Sequence, residues 1–225
     1  MKFFVILFCV LFLGFSVYAL FSAVKTERNI RKTLNLSLSV KQMNRMEQRV
    51  KKECNDNYSV GAGLTAEELS KKLGLLVEYG IDGFADGLVA ELIPPRQDDN
   101  SCKGIIRINK KYSSDASFSY MHEIMHYILD VGVGNKVSRQ YTRMETGKTE
   151  NFHEQEINYA IVAYLMPLDE ILEALNEFDS TEGKRDFKGL IESLCVKYGQ
   201  NDTTVLRRLH EARKFQEEKL RRSIA

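Results

Sequence analysis

Apolar and polar positions along this chain follow helical spacing over most of its length. Residues 3–24 carry no charged side chain, and at a rise of roughly 1.5 Å per residue this stretch is about long enough to cross a hydrocarbon core of roughly 30 Å. Residues 26–54 are charge-rich with apolar residues at approximately helical intervals, which predicts a juxtamembrane helix. Those apolar residues are Ile30, Leu34, Leu38, Met43, Met46 and Val50.

The middle of the chain mixes strand and helix signals. Residues 65–69 open a short helix, and residues 75–79 and 104–110 are typical of strands. Residues 94–100 form a loop, and residues 132–149 are a polar loop or a flap over a cleft. Further helices are expected over 168–178, 185–198 and 203–222. The pattern predicts an α+β fold with a small sheet and a mostly helical C-terminal half.

The most informative chemistry lies in the pentapeptide His122-Glu123-Ile124-Met125-His126, inside an apolar helical stretch over 114–129. Two histidines four residues apart project from one face of a helix, where both can ligate one Zn²⁺. Glu123 lies about 100° around the helix, within reach of a water on that metal but not placed as a ligand. The spacing suits zinc-assisted hydrolysis with Glu123 as the general base. The alternative is a pair of core or surface histidines without a metal.

A catalytic zinc site needs a third protein ligand. The best source is the segment 151–167, where Asn151 and Glu154 form a capping-box pattern and Pro167 marks the end of a helix. Glu156 lies one turn into this helix and is either a solvated N-terminal charge or a metal ligand. His153, one turn before Glu156, is either a surface histidine of the capping turn or a group that stabilises an oxyanion.

These residues resemble the ImmA/IrrE family of bacterial and phage metallopeptidases, which pairs a helical HExxH with a downstream E-A-N-x-F-A-x-x-L-L-M-P helix. Residues 156–167 keep the Glu, the Asn and Leu-Met-Pro, whereas Ile157 replaces the Ala and the Phe-Ala pair is not kept. The resemblance covers roughly residues 60–170. It implies a zincin-like domain in which His122, His126 and Glu156 hold Zn²⁺ and Glu123 is the base. Members often cut helix-turn-helix repressors, so the implied partner is a specific regulatory protein.

The N-terminus has two interpretations. A cleaved signal peptide would fit Val17-Tyr18-Ala19, but the apolar run continues beyond it, which favours a retained anchor over residues 1–25. Basic residues are more numerous on the C-terminal side of the run than on the N-terminal side, so we expect the enzyme domain in the cytoplasm. Outside the proposed anchor, the cysteines Cys54, Cys102 and Cys195 are odd in number and widely spaced, which argues against a disulfide framework.

Charge argues against nucleic acid as a partner. The chain has 32 Lys and Arg against 31 Asp and Glu, for a net charge of +1, whereas nucleic-acid binders usually show a basic excess. The C-terminal helices loosely resemble the helix-turn-helix-like tail of the same family. We therefore expect four segments: an anchor (1–25), a juxtamembrane helix or linker (26–59), a zinc metallopeptidase domain (60–170) and a helical extension (171–225).

The function expected from the sequence is a membrane-anchored zinc endopeptidase that acts on a repressor-like protein. Two rival hypotheses stay open at this level. One is a regulatory or interaction module that binds the metal without turnover. The other is an exported zinc protease whose N-terminus is a cleaved signal.

Overall fold

The described residues combine helices with one small three-stranded sheet, in agreement with the predicted α+β class. The computed structural model describes residues 38–59, 61, 63–85, 87–95, 103–112, 117–131, 152–180 and 186–224. In chain order the elements are α1 (Val40–Val50), a π-helical turn (Lys51–Asn57), α2 (Ala66–Leu73), β1 (Leu76–Ile81), β2 (Ala90–Ile93), β3 (Ile105–Asn109), a 3₁₀ turn (Lys110–Tyr112), α3 (Ser117–His126), a π-helical turn (Tyr127–Val131), α4 (Phe152–Leu165), α5 (Leu168–Ser180), α6 (Phe187–Tyr198) and α7 (Asp202–Ile224).

Two helices begin with reciprocal capping boxes. Thr65 and Glu68 cap α2, the short helix predicted to open at residues 65–69, and Ser39 with Gln42 caps α1 in the same way. In each box the hydroxyl accepts from one backbone N–H and the longer side chain accepts from the other, so two otherwise unpaired donors are satisfied. Helix α2 ends at Gly74, whose φ of 72° lies in the left-handed region that a glycine adopts without strain.

The sheet has the order β1-β3-β2, with β1 parallel and β2 antiparallel to β3. Along β3, Ile106 and Ile108 are fully buried, and they belong to the same hydrophobic core as Ile124 and Ile128. Helix α3 packs against β2 and β3. The sheet therefore supports the helix that carries the HExxH sequence, and β2 is an element that was not delimited from the sequence.

A second hydrophobic cluster lies at the C-terminal end of α4 and joins it to α5, α6 and α7. Helix α4 contributes to both cores, because Ala160 and Ile161 belong to the first and Val162 to the second. The predicted helices over 168–178, 185–198 and 203–222 are confirmed with small shifts of their ends. The predicted helix over 26–54 is confirmed from Val40 onward, and residues 26–37 lie outside the described residues.

The proposed anchor at residues 1–25 and the candidate flap at 132–149 also lie outside the described residues. Among the helices that are described, none combines the length and apolar character needed to span a bilayer.

Arg208 on α7 is a charged residue at the centre of the helical half, with a fully buried side chain. Its Nη2 lies 2.7 Å from Glu47 Oε1 on α1, its Nε donates to Met166 O at 2.8 Å, and its Nη1 donates to Tyr159 Oη at 3.1 Å. Tyr159 in turn donates to Glu47 Oε1 at 2.6 Å. One guanidinium thereby connects α1, α4 and α7.

The substitution Arg208→Met is expected to lower the free energy of unfolding by about 3–5 kcal/mol, because it leaves the Glu47 carboxylate without its buried counter-charge while keeping most of the side-chain volume. Chemical denaturation followed by circular dichroism measures this loss. The control is Arg221→Met, which removes the same charge from an exposed position of α7 and should change stability by no more than about 0.5 kcal/mol. Equal stability of the two variants would contradict the assignment.

Candidate metal centre

The HExxH residues lie on α3, where packing against the sheet buries them. The side chains of His122 and His126 are 1% and 0% exposed, and Glu123 is fully buried. The Nε2 atoms of the two histidines are 3.0 Å apart, so the rings point to one place as the i, i+4 spacing predicted.

Glu154, near the start of α4, completes this group. Its Oε2 lies 2.9 Å from His122 Nε2, and its Oε1 lies 3.5 Å from His126 Nε2. The carboxylate thus faces both rings, and its side chain is only 16% exposed. Among the described residues, His122, His126 and Glu154 form a group whose donor atoms could hold one metal ion.

The family resemblance implies Glu156 as the third ligand, but the group that the structure brings together is His122, His126 and Glu154. Glu156 lies two residues beyond Glu154, which on a helix is about 200° around the axis. Its carboxylate is instead 3.9 Å from His153 Nδ1. The geometry therefore corrects the choice of carboxylate from Glu156 to Glu154.

The outer nitrogen of each ring is held by a second residue. His122 Nδ1 is 3.1 Å from Asn158 Oδ1, and His126 Nδ1 is 2.9 Å from Asp130 Oδ2. Both oxygens are assigned as acceptors, so each Nδ1 carries a hydrogen, and a metal ion bound at the centre would take the Nε2 lone pairs. Outer partners of this kind orient histidine ligands in metal sites and raise their basicity.

Sequence reasoning missed Glu154, Asn158 and Asp130 as residues of the site, although helical spacing offered a signal. Glu154 and Asn158 are four residues apart, hence on one face of α4, and they contact the two ring nitrogens of the same histidine. Asp130 lies four residues after His126 at the end of the helix.

The surroundings of Glu154 and Asp130 keep both carboxylates ionised. Burial alone would raise the pKa of Glu154, but hydrogen bonds from His122 and His126 outweigh it and hold the pKa well below its usual range. Burial would also raise the pKa of Asp130, but hydrogen bonds from His126 and His153 outweigh it and hold that pKa well below its usual range. Two anionic carboxylates beside two imidazoles make this a cation-attracting centre.

His153 is joined to the site through Asp130. Its Nε2 lies 2.9 Å from Asp130 Oδ2, the same oxygen that faces His126. The hydrogen bond to Asp130 raises the pKa of His153 above its ordinary value despite a smaller opposing effect of burial. The structure therefore gives His153 a carboxylate partner and a half-buried position, which places it beside the centre rather than on the open surface.

The donor set fits zinc. Ligand atoms about 2 Å from a tetrahedral ion are roughly 3.3 Å apart. The two Nε2 atoms are 3.0 Å apart, and the carboxylate of Glu154 lies 2.9 Å from Nε2 of His122 and 3.5 Å from Nε2 of His126. Two imidazoles and a carboxylate are the ligand types of catalytic zinc sites, which keep a fourth position for water or substrate. His122, His126 and Glu154 would hold the ion, with Asn158 and Asp130 behind the rings.

Comparison with known proteins supports this interpretation. A comparison with curated proteins finds no significant match. The family model described as the IrrE N-terminal-like domain, Peptidase_M78, matches residues 78–200. The match covers more than half of the 225 residues and includes α3 and α4 with all the side chains of the metal centre described above. The chain therefore belongs to the Peptidase_M78 family of IrrE N-terminal-like domains.

Proposed function

We propose that this protein is a zinc-dependent endopeptidase. The observation that carries the proposal is the convergence of His122, His126 and Glu154, whose ligand atoms, one from each residue, lie within 4.8 Å of one another. Membership of a peptidase family supports the same reaction class. A chelating centre and a neighbouring carboxylate are parts that metal-assisted hydrolysis requires.

The residues of the chain have separate roles in this mechanism. A bound zinc ion supplies Lewis acidity, which lowers the pKa of water and polarises a carbonyl. Glu123 follows His122 directly on α3 and is the general base: it accepts the proton of the attacking water and delivers it to the leaving amine. Asn158 and Asp130 fix the orientation of the two rings, so the centre is organised before the substrate binds.

The substrate class we propose is a specific regulatory protein of the helix-turn-helix repressor type. Its support is the resemblance of residues 60–170 to peptidases that cut such proteins. We further propose that residues 1–25 anchor the enzyme in the membrane with the catalytic domain in the cytoplasm. The support for the anchor is the uncharged stretch 3–24 and the basic excess that follows it.

The carboxylate choice is tested by the matched pair Glu154→Gln and Glu156→Gln. The wild type should contain stoichiometric zinc by elemental analysis. Loss of an outer partner costs roughly 10–100-fold in metal affinity, so loss of a ligand in Glu154→Gln should cost at least about 100-fold. Glu156→Gln should bind zinc as the wild type does, since that carboxylate faces His153. Weak binding by Glu156→Gln with normal binding by Glu154→Gln would restore the original assignment.

The catalytic role of Glu123 is tested by Glu123→Gln. This variant should keep the zinc content of the wild type, because Glu123 is not a ligand, and should lose peptide hydrolysis by roughly 10²–10⁴-fold. Quantitative proteomics of newly formed protein N-termini, in cells with either form, measures the cleavage and nominates the substrate. Glu173→Gln, at an exposed position of α5, is the control. Identical N-termini in all three strains would favour the non-catalytic metal-binding module.

The membrane proposal is tested by a reporter fused after Ala225 and by alkaline extraction of membranes. A retained anchor should keep the protein in the membrane pellet, and a fusion to a reporter that is active only in the cytoplasm should be active. A soluble, shortened protein with an inactive cytoplasmic reporter would instead identify an exported protease with a cleaved signal.

A further inference from the structure

Asp130 has a second oxygen that faces away from the histidines. Its Oδ2 is shared by His126 and His153, whereas its Oδ1 lies 3.7 Å from Arg49 Nη2 on α1. The same Arg49 nitrogen donates a short hydrogen bond to the carbonyl oxygen of Leu129, 80 residues further along the chain. A guanidinium from the first described helix therefore reaches the end of the helix that carries the HExxH sequence.

We propose that Arg49 is a positioning residue of the metal centre, which acts through Asp130 on the ring of His126. This inference rests on the proposed zinc site. It adds to that site a helix outside residues 78–200, the segment that the family model matches. Arg49 touches neither metal nor substrate; its role is to fix the carboxylate that orients a ligand.

The geometry explains why one guanidinium suits this position. Asp130 lies in the π-helical turn Tyr127–Val131, where α3 ends and backbone carbonyls lose their regular partners. Arg49 satisfies the carbonyl of Leu129 and places its charge beside the next residue's carboxylate. Since a guanidinium has several donors in a rigid plane and stays charged, it holds the turn and the carboxylate together.

Charge compensation supports the same role. The side chain of Asp130 is 7% exposed, so little water is available to solvate its negative charge. With Arg49 in place, Oδ1 faces a fixed cation and Oδ2 stays with the two imidazoles. Without Arg49, the carboxylate of Asp130 can turn its other oxygen to the histidines. The ring of His126 is then no longer held in one orientation.

Helix α1 is itself fixed two residues earlier. Glu47 accepts from Tyr159 on α4 and pairs with the buried Arg208, as described above. Helix α1 therefore makes polar contacts with both helices that supply the proposed ligands: Glu47 with α4, and Arg49 with the end of α3. This placement separates Arg49 from an ordinary surface ion pair, which contributes little to stability.

The test measures zinc affinity of the full-length protein by competition with a chromogenic chelator, together with the visible absorption of the Co²⁺-substituted form. Arg49→Gln keeps a donor for Leu129 O but removes the charge, and it should weaken zinc binding about 3–10-fold, below the roughly 10–100-fold expected for Asp130→Asn. Arg49→Lys keeps the charge and should recover part of the loss. The control Arg45→Gln removes an exposed charge from the same helix and should bind zinc as the wild type does.

A double-mutant cycle distinguishes positioning from general destabilisation. If Arg49 acts through Asp130, adding Arg49→Gln to Asp130→Asn should weaken zinc binding no further, and both variants should shift the Co²⁺ spectrum in the same way. Additive losses, or zinc affinity and spectra of Arg49→Gln equal to those of Arg45→Gln, would overturn the proposal. Should Arg49→Gln fail to fold, the Arg49→Lys variant alone decides: a changed Co²⁺ spectrum supports the role, and an unchanged one contradicts it.

The outcomes also separate this inference from the proposed function. A wild-type protein that binds no zinc would remove the metal centre itself. Zinc binding that depends on Glu154 but not on Arg49 would leave the peptidase proposal intact and refute the positioning role.

Discussion

The buried charge of Arg208 is the constraint on which the arrangement of the helices depends. A guanidinium cannot release its proton in a protein, so its burial is tolerated only where carboxylates and carbonyls replace the lost water. Those partners come from α1 (Glu47), from α4 (Tyr159) and from Met166, just after α4. Because the buried guanidinium needs several of these partners at once, α1, α4 and α7 are stabilised as a group rather than in pairs.

The candidate chemistry depends on the same helices. Helix α4 turns Glu154 and Asn158 to the histidines near its N-terminal end, and it turns Tyr159 to Arg208 one residue later. Any rotation of α4 that improved one set of contacts would disturb the other. The polar groups thus fix the rotation of α4 about its own axis. The apolar residues of α4 are buried on nearly every side and by themselves would allow several rotations. Glu154 therefore faces the histidines in the same rotation of α4 that brings Tyr159 to Arg208.

Much of this fold could be predicted from periodicity, because helices with apolar faces and capping residues carry local signals. Thr65 with Glu68, the HExxH spacing and the apolar residues of α4 and α7 are of this kind. To choose between Glu154 and Glu156, one must know which face of α4 is turned toward α3. Packing between segments that are distant in sequence decides this. Helical spacing from Asn158 favours Glu154, whereas the place of Glu156 one turn into the helix and the family pattern both point to Glu156.

Other contacts have no local signal. Arg49 and Asp130 are 81 positions apart in sequence, and Arg208 lies 161 positions after Glu47. Each is one of many charged residues on helices that look solvated, and only the packed structure distinguishes them. The short strand β2 was also not delimited, since four residues before two prolines carry too little periodicity to identify a strand.

The docking of α1 has a consequence for where this protein can be divided. Residues 78–200 contain every proposed ligand but neither Glu47 nor Arg208. A fragment cut at those limits would expose the face of α4 that α1 covers and would leave the Tyr159 hydroxyl without both of its charged neighbours. The stretch that identifies the family therefore lacks the partners that hold α4 to its neighbours, and fusions or excised domains need to retain α1 and α7.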